Sequence, residues 1–206
     1  MYIEPKIESS YYYNNKGEKD TINYFYPKIG KTLYDYITDF QPKIIFEFGV
    51  LHGYSTISMA QALKNLGRGK IYGYDIWAKE KYGHGQTLSS TQKYIDQYNV
   101  SDYVDLMSGD IFDVLNSTDL SLIDLIHVDI NNDGEKLGSI IEILQNRGYE
   151  GSFLFEGGIP ERDVCWWMKN FNKTPMTSLK NKNNYVLLNE NYPGISLIKK
   201  LKYEKK

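Results

Sequence analysis

The segment Ile44-Ile45-Phe46-Glu47-Phe48-Gly49-Val50-Leu51-His52-Gly53-Tyr54-Ser55-Thr56 constrains the fold more than any other, because an apolar run ends in a glycine-punctuated turn and then becomes helix-periodic. A short continuous apolar run predicts a strand buried on both faces over 44–48, with Glu47 as the exception near its end. Gly49 and Gly53 permit backbone conformations and close approaches that a Cβ would block, and Ser55 or Thr56 can help to cap the helix that follows. The expected product is a strand, a tight loop and a helix N-terminus aimed at a ligand.

With 206 residues the chain is long enough for one α/β domain with a sizeable core and too short for two ordinary ones. The pattern divides it into an N-terminal arm or lid over 1–26, which shows no steady period, and a domain over 27–206. A net charge of −2, with Lys and Arg spread along the chain, marks neither a nucleic-acid groove nor an anionic membrane surface. No apolar run approaches the roughly 20 residues of a membrane span. Cys165 is the single cysteine, so no internal disulfide can form, and the N-terminus does not resemble a signal peptide. Both facts fit a reducing cytoplasm. Next to Trp166 and Trp167, Cys165 reads as a buried structural thiol.

Along the chain, strand and helix patterns alternate. Ile29, Leu33, Tyr36, Ile37 and Phe40 fall on one helical face between Pro27 and Pro42. After the opening strand, Ile57, Ala60, Leu63 and Leu66 make the stripe of a second helix that Gly67 and Gly69 terminate. Further strands are predicted over 70–77, 102–107, 121–129 and 151–155, with helices over 91–100 and 133–147 and a loop over 78–90. An aromatic helix with Val164, Trp167, Met168 and Phe171 follows Pro160, and the segments 185–188 and 195–198 read as a terminal hairpin. The alternation implies a single-domain, Rossmann-like, doubly wound sheet, mostly parallel with an antiparallel C-terminal strand.

In such sheets ligands lie beyond the carboxyl ends of the strands. Those ends carry Glu47, Asp75, Asp110 just after the third strand, Asp129 and Glu156, so acids converge on one rim. The glycine loop is not the dinucleotide fingerprint G-x-G-x-x-G; it reads E-x-G-x-x-x-G-x-S. Glu47 would repel a pyrophosphate and attract a cation, and a charged hydrogen bond from an ammonium group is worth roughly 1.5–3 kcal/mol. S-adenosylmethionine offers such groups, with a ribose for Asp75 and an adenine amine for Asp110.

The sequence Glu47 to Ser55, Asp75 after the second strand, Gly109-Asp110 and Ile126-His127-Val128-Asp129 together resemble the class I S-adenosylmethionine-dependent methyltransferases, in particular the small O-methyltransferases of the macrocin and catechol type. The resemblance spans roughly residues 27–200. It implies that Glu47, Gly49, Gly53 and Ser55 hold the methionine moiety, Asp75 the ribose, and Trp77 and Asp110 the adenine. It also implies a divalent cation such as magnesium at Asp129 and Glu156, as in metal-using relatives, although Gly157 stands where a third side-chain oxygen would be expected. A subset of the family carries D-G-x-H-x-Y-E after the fourth strand; this chain has Asp129-Ile130-Asn131-Asn132-Asp133-Gly134-Glu135, without the histidine. The base is therefore Asp129, His84 or a metal-bound hydroxide. Arg162, just after Glu156, is a candidate clamp for an anionic acceptor, and His127 reads as a core histidine.

The expected function is methyl transfer from S-adenosylmethionine to a small-molecule acceptor, a hydroxyl of a sugar or secondary metabolite. A catalytically silent binding or scaffold protein of the same fold is the rival, and a nicotinamide enzyme is disfavoured by Glu47 and the missing glycine. Neither nucleic acid nor membrane is an expected partner, and a homodimer is left open.

Overall fold

The computed structural model describes residues 1–7, 11–13, 19–21, 29–77 and 87–201. Its main sheet contains strands β1 (Ile44–Phe48), β2 (Lys70–Asp75), β3 (Val104–Ser108), β4 (Leu125–Val128), β5 (Ser152–Glu156), β6 (Val186–Asn189) and β7 (Ile195–Ile198). They lie in the order β3-β2-β1-β4-β5-β7-β6. The pairs among β1 to β5 are parallel, and β7 enters antiparallel between β5 and β6. The strand order reverses between β1 and β4, which is the switch point where an open α/β sheet leaves a crevice.

The helices are α1 (Ile29–Phe40), α2 (Tyr54–Leu66), α3 (Leu88–Gln97), α4 (Ile111–Ser117), α5 (Gly134–Asn146), α6 (Pro160–Asp163), α7 (Trp166–Asn170) and α8 (Lys180–Asn183). Strand alternation sends Phe46, Phe48, Ile126, Val128, Phe153 and Phe155 into a core with α4 and α5. Ile45, Ile71, Leu125 and Leu154 face the opposite core, closed by α1, α2 and α3. Each fully buried Leu, Ile or Phe contributes roughly 1.5–3 kcal/mol, so the two cores hold the layers together and keep β1 and β4 dry on both faces.

The predicted elements recur with shifted ends. The 121–129 run divides into a 3₁₀ turn at Leu120–Leu122 and the shorter β4, because Leu122 is exposed. The single aromatic helix expected after Pro160 is two short helices, α6 and α7, interrupted by Cys165 in an extended conformation. Of the residues that mark the predicted aromatic helix, Val164 and Phe171 are exposed and Met168 alone is fully enclosed. Phe40 is also partly exposed, stacked on Tyr36 at 5.5 Å.

Of the N-terminal arm, residues 1–7 lie against α2. The Ile3 amide donates to Gln61 Oε1 at 2.7 Å, and Gln61 Nε2 donates back to the Ile3 carbonyl at 2.8 Å. Tyr54 in the first turn of α2 donates to Glu4, as does Tyr2 at 2.9 Å. Tyr11–Tyr13 and Lys19–Thr21 pair as a small antiparallel ribbon. No helix among the described residues is long and apolar enough to cross a membrane.

Candidate active site

The rim of the sheet is built by backbone first. Gly49 at the end of β1 has φ +89°, and a Cβ there would lie 1.9 Å from the Asp129 carbonyl oxygen. Only glycine lets the β1 loop touch the end of β4. Leu51 also takes a positive φ, which aims its amide at Asp75 Oδ2, 2.9 Å away, and Gly53 at φ +84° opens α2. The other Asp75 oxygen accepts from the Trp77 amide at 3.0 Å. The Trp77 indole in turn donates to the Met107 carbonyl at 3.0 Å, so the ends of β1, β2 and β3 are tied through one carboxylate and one ring. Asp75 and Trp77 are half-buried, and each Asp75 oxygen retains a lone pair for a further donor.

Glu47 is fully enclosed. Strand alternation turns it toward α2, where Ser55 Oγ donates to Oε1 and Thr56 Oγ1 to Oε2, both at 2.5 Å. His127, its register partner on β4, brings Nδ1 to 3.1 Å from Oε1. His127 Nε2 is buried with no hydrogen-bond partner among the described residues. Expected in the sequence as a core histidine, His127 therefore belongs to the network that fixes Glu47 and, through Glu47, the first turn of α2. Ser55 is half-buried and sits between that network and the rim.

Asp129 and Glu156 do meet. They follow the paired residues Val128 and Phe155 at the ends of β4 and β5, and burial together with the Glu156 charge pushes the Asp129 carboxyl well above the usual carboxylate range. Glu156 is also the partner of Arg162, whose Nε donates to Oε1 at 2.6 Å. Both residues are buried, at 6% and 5% exposure. Arg162 further donates from Nη1 to Cys165 Sγ at 3.2 Å, and its guanidinium lies 5.0 Å from the Trp167 ring centre. Burial alone would lower the Arg162 pKa, but Glu156, Cys165 and Tyr192 together outweigh it and raise the value, so the guanidinium is charged.

Magnesium does not fit this arrangement. Glu156 is already engaged by a cation of the chain itself, and position 157 cannot supply the third oxygen. Gly157 has φ +107°, and a Cβ there would lie 2.4 Å from Met176 Cε. Among the described residues no group of three or more His, Cys, Asp or Glu side chains is disposed to hold a metal ion.

Asn132, at the position of the missing histidine, is fully buried and has a structural task. Its Nδ2 donates to the carbonyls of Val128 and Glu156, each at 2.9 Å, and so holds the ends of β4 and β5 together. Asp110 stands apart from the other acids; it is exposed and caps α4 by accepting from the Phe112 amide at 2.8 Å. His84 lies outside the described residues. No sequence signal marks Met176, Cys165 and Trp167 as neighbours of the site, since all three come from segments after β5 that only tertiary packing brings back.

Comparison with known proteins agrees with this geometry. The profile of a family described as Methyltransferase domain matches residues 46–155, more than half of the chain. No curated protein matches it. Among solved structures, an O-methyltransferase from Bacillus cereus in complex with S-adenosylhomocysteine is 19% identical, with 84% of this chain and 81% of that chain covered and a TM-score of 0.59. The S-adenosylhomocysteine-bound methyltransferase PaMTH1 of Podospora anserina is 17% identical over 84% of this chain and 77% of that one, with a TM-score of 0.59. The O-methyltransferase TomG of Streptomyces achromogenes, involved in tomaymycin synthesis and solved with S-adenosylmethionine, is 17% identical over 85% and 80%, with a TM-score of 0.56. The glycine turn at 49–53, the acids at the strand ends and the 3-2-1-4-5-7-6 sheet thus have one explanation: the chain belongs to the methyltransferase domain family.

Proposed function

We propose that this protein transfers a methyl group from S-adenosylmethionine to a hydroxyl of a small molecule, a sugar or secondary metabolite. The observation that carries the reading is the pairing of Asp75, at the end of β2, with the Leu51 amide of the β1 loop, which sets a half-buried carboxylate beside a glycine turn next to the switch point. A ribose diol presents two donors to one carboxylate, and this is the geometry that receives it. Ser55, held by Glu47, faces the methionine end, beside the turn whose positive φ values Gly49 and Gly53 supply. Glu47 in this reading sets the negative potential and the position of Ser55 rather than meeting the ammonium group alone. Trp77 and Asp110 border the adenine.

The sulfonium is an activated methyl donor, so the protein's contribution is alignment of an acceptor oxygen and removal of one proton. Asp129 and His84 are the candidates for that proton. Burial beside Glu156 brings Asp129 closer to the range in which a carboxylate takes a proton effectively. Magnesium assistance is not part of the proposal, because Arg162 already engages Glu156. The buried free thiol of Cys165 supports a reducing compartment such as the cytoplasm.

Isothermal titration with S-adenosylhomocysteine tests the donor, and absence of binding at millimolar ligand would end the proposal. A second reading, a cofactor-binding protein without transferase activity, is favoured by the use of Asn132 as a clamp in place of a base. It predicts binding of S-adenosylhomocysteine with no methyl transfer across a broad acceptor panel.

A further inference from the structure

Two carboxylates side by side at the ends of β4 and β5 repel one another and need a positive charge close by. In this chain the charge is covalently part of the protein. Arg162 reaches Glu156 at 2.6 Å from α6, with the guanidinium wedged between the Cys165 sulfur and the face of Trp167. The pose is fixed from outside as well. Asp163, the next residue, accepts from the amides of Met176 and Thr177 at 2.7 and 3.0 Å and from the Thr177 hydroxyl at 2.6 Å. Those bonds place Met176 behind Gly157, the position where a third oxygen ligand would start. Asn132 then fixes the backbone of both acidic strand ends. A divalent ion arriving at Glu156 would face a charged guanidinium on the same oxygen and a thioether in place of a donor.

We propose that Arg162 is a built-in cation that occupies the place of a divalent metal at Asp129 and Glu156, so that the protein works without a metal and gains a metal site when Arg162 is removed. The first half rests on the methyltransferase reading, whereas the second concerns binding alone. Arg162 is a positioning residue here: it holds Glu156, and through Glu156 it holds Asp129. It is enclosed by Trp167 and Cys165 and is not the contact for an anionic acceptor.

The test uses the full chain after chelation and dialysis, with Mn²⁺ as the probe, read by the loss of the free-ion signal in electron paramagnetic resonance. The wild type is expected to leave millimolar Mn²⁺ free. Arg162→Gln and Arg162→Met, which expose two carboxylates with no internal counter-charge, are expected to bind Mn²⁺ at least tenfold more tightly, with a thermal midpoint that Mn²⁺ raises in the variants and not in the wild type. The double variant Glu156→Gln/Arg162→Met removes both charges and is expected to fold and bind no Mn²⁺. If the single variants fold only when Mn²⁺ is supplied, that rescue supports the proposal. Tight one-to-one Mn²⁺ binding by the wild type overturns it, as do folded Arg162 variants with wild-type affinity or a turnover that chelation abolishes and Mg²⁺ restores. Failure to find any acceptor would count against the methyltransferase reading and leave the Mn²⁺ result standing.

Discussion

At Gly157 a φ of +107° and the methyl end of Met176 act on the same position. Gly157→Ala is expected to cost about 2–4 kcal/mol, the sum of a strained backbone and a displaced core side chain. Chemical denaturation measures it, and adding Met176→Ala should return the packing part only; a loss below about 0.5 kcal/mol for Gly157→Ala would mean that Met176 moves freely. Asn132→Ala leaves two carbonyls without their donor and is expected to cost about 2 kcal/mol in the same measurement. Asp75→Asn is the functional counterpart. It keeps an acceptor for one backbone amide but loses the charge, and the affinity for S-adenosylhomocysteine should fall roughly 10- to 100-fold by calorimetry. Unchanged affinity would remove Asp75 from the ribose site. These residues differ in how legible they were. The acids could be found because a charge inside an apolar strand pattern is conspicuous. The tasks of Asn132, Met176 and the Glu47 partner His127 could not, because each acquires its role from what lies across the sheet.

The first turn of α2 joins two systems. Ser55 and Thr56 fasten it to Glu47, and Tyr54 fastens it to Glu4 of the N-terminal segment. Burial and the neighbouring Glu4 carboxylate push the Tyr54 hydroxyl well above the ordinary tyrosine range, and burial does the same at Tyr2. A folded pKa raised above the unfolded value of about 10 contributes stability that is complete below that pH and is lost as the pH rises beyond it. Residues 1–7 should therefore detach in mild alkali before the sheet unfolds. A dye at the N-terminus would report this as a fall in anisotropy above about pH 10 that precedes the change in far-ultraviolet circular dichroism; simultaneous changes would refute it. Element positions were largely readable, since apolar runs and glycine stops mark them. The division of the aromatic segment into α6 and α7 was not. Val164, Trp167, Met168 and Phe171 satisfy helical spacing, yet Arg162 must turn inward and Asp163 must reach Met176 and Thr177, and the extended Cys165 reconciles the two demands.

For the molecule as a whole, the sheet order sets a gradient of protection. β1 and β4 lie between two cores with paired neighbours on both sides, whereas β6 is an edge strand whose Val186 is exposed. Hydrogen exchange should accordingly be slowest for Ile45 to Phe48 and Leu125 to Val128 and fastest, within the sheet, for Val186 to Asn189. Comparable protection in β6 would point to a partner covering that edge. The sequence pattern was sufficient to give the doubly wound class because alternation of strands and helices leaves few topologies. It did not give the placement of Arg162, which depends on how α6 and the segment around Met176 fold back over the ends of β4 and β5.

Of the three tryptophans of the chain, two are tied to the acids at the strand ends. The Trp77 amide donates to Asp75, Trp167 lies under Arg162 at the buried Glu156 pair, and Trp166 is partly exposed against Phe171. The protein thus carries its own optical probes. With Trp166 replaced by Phe, a change in Trp77 emission on adding S-adenosylhomocysteine is expected to time donor binding by stopped flow without a label, while Trp167, packed against the guanidinium of the buried Arg162, is expected to stay unchanged.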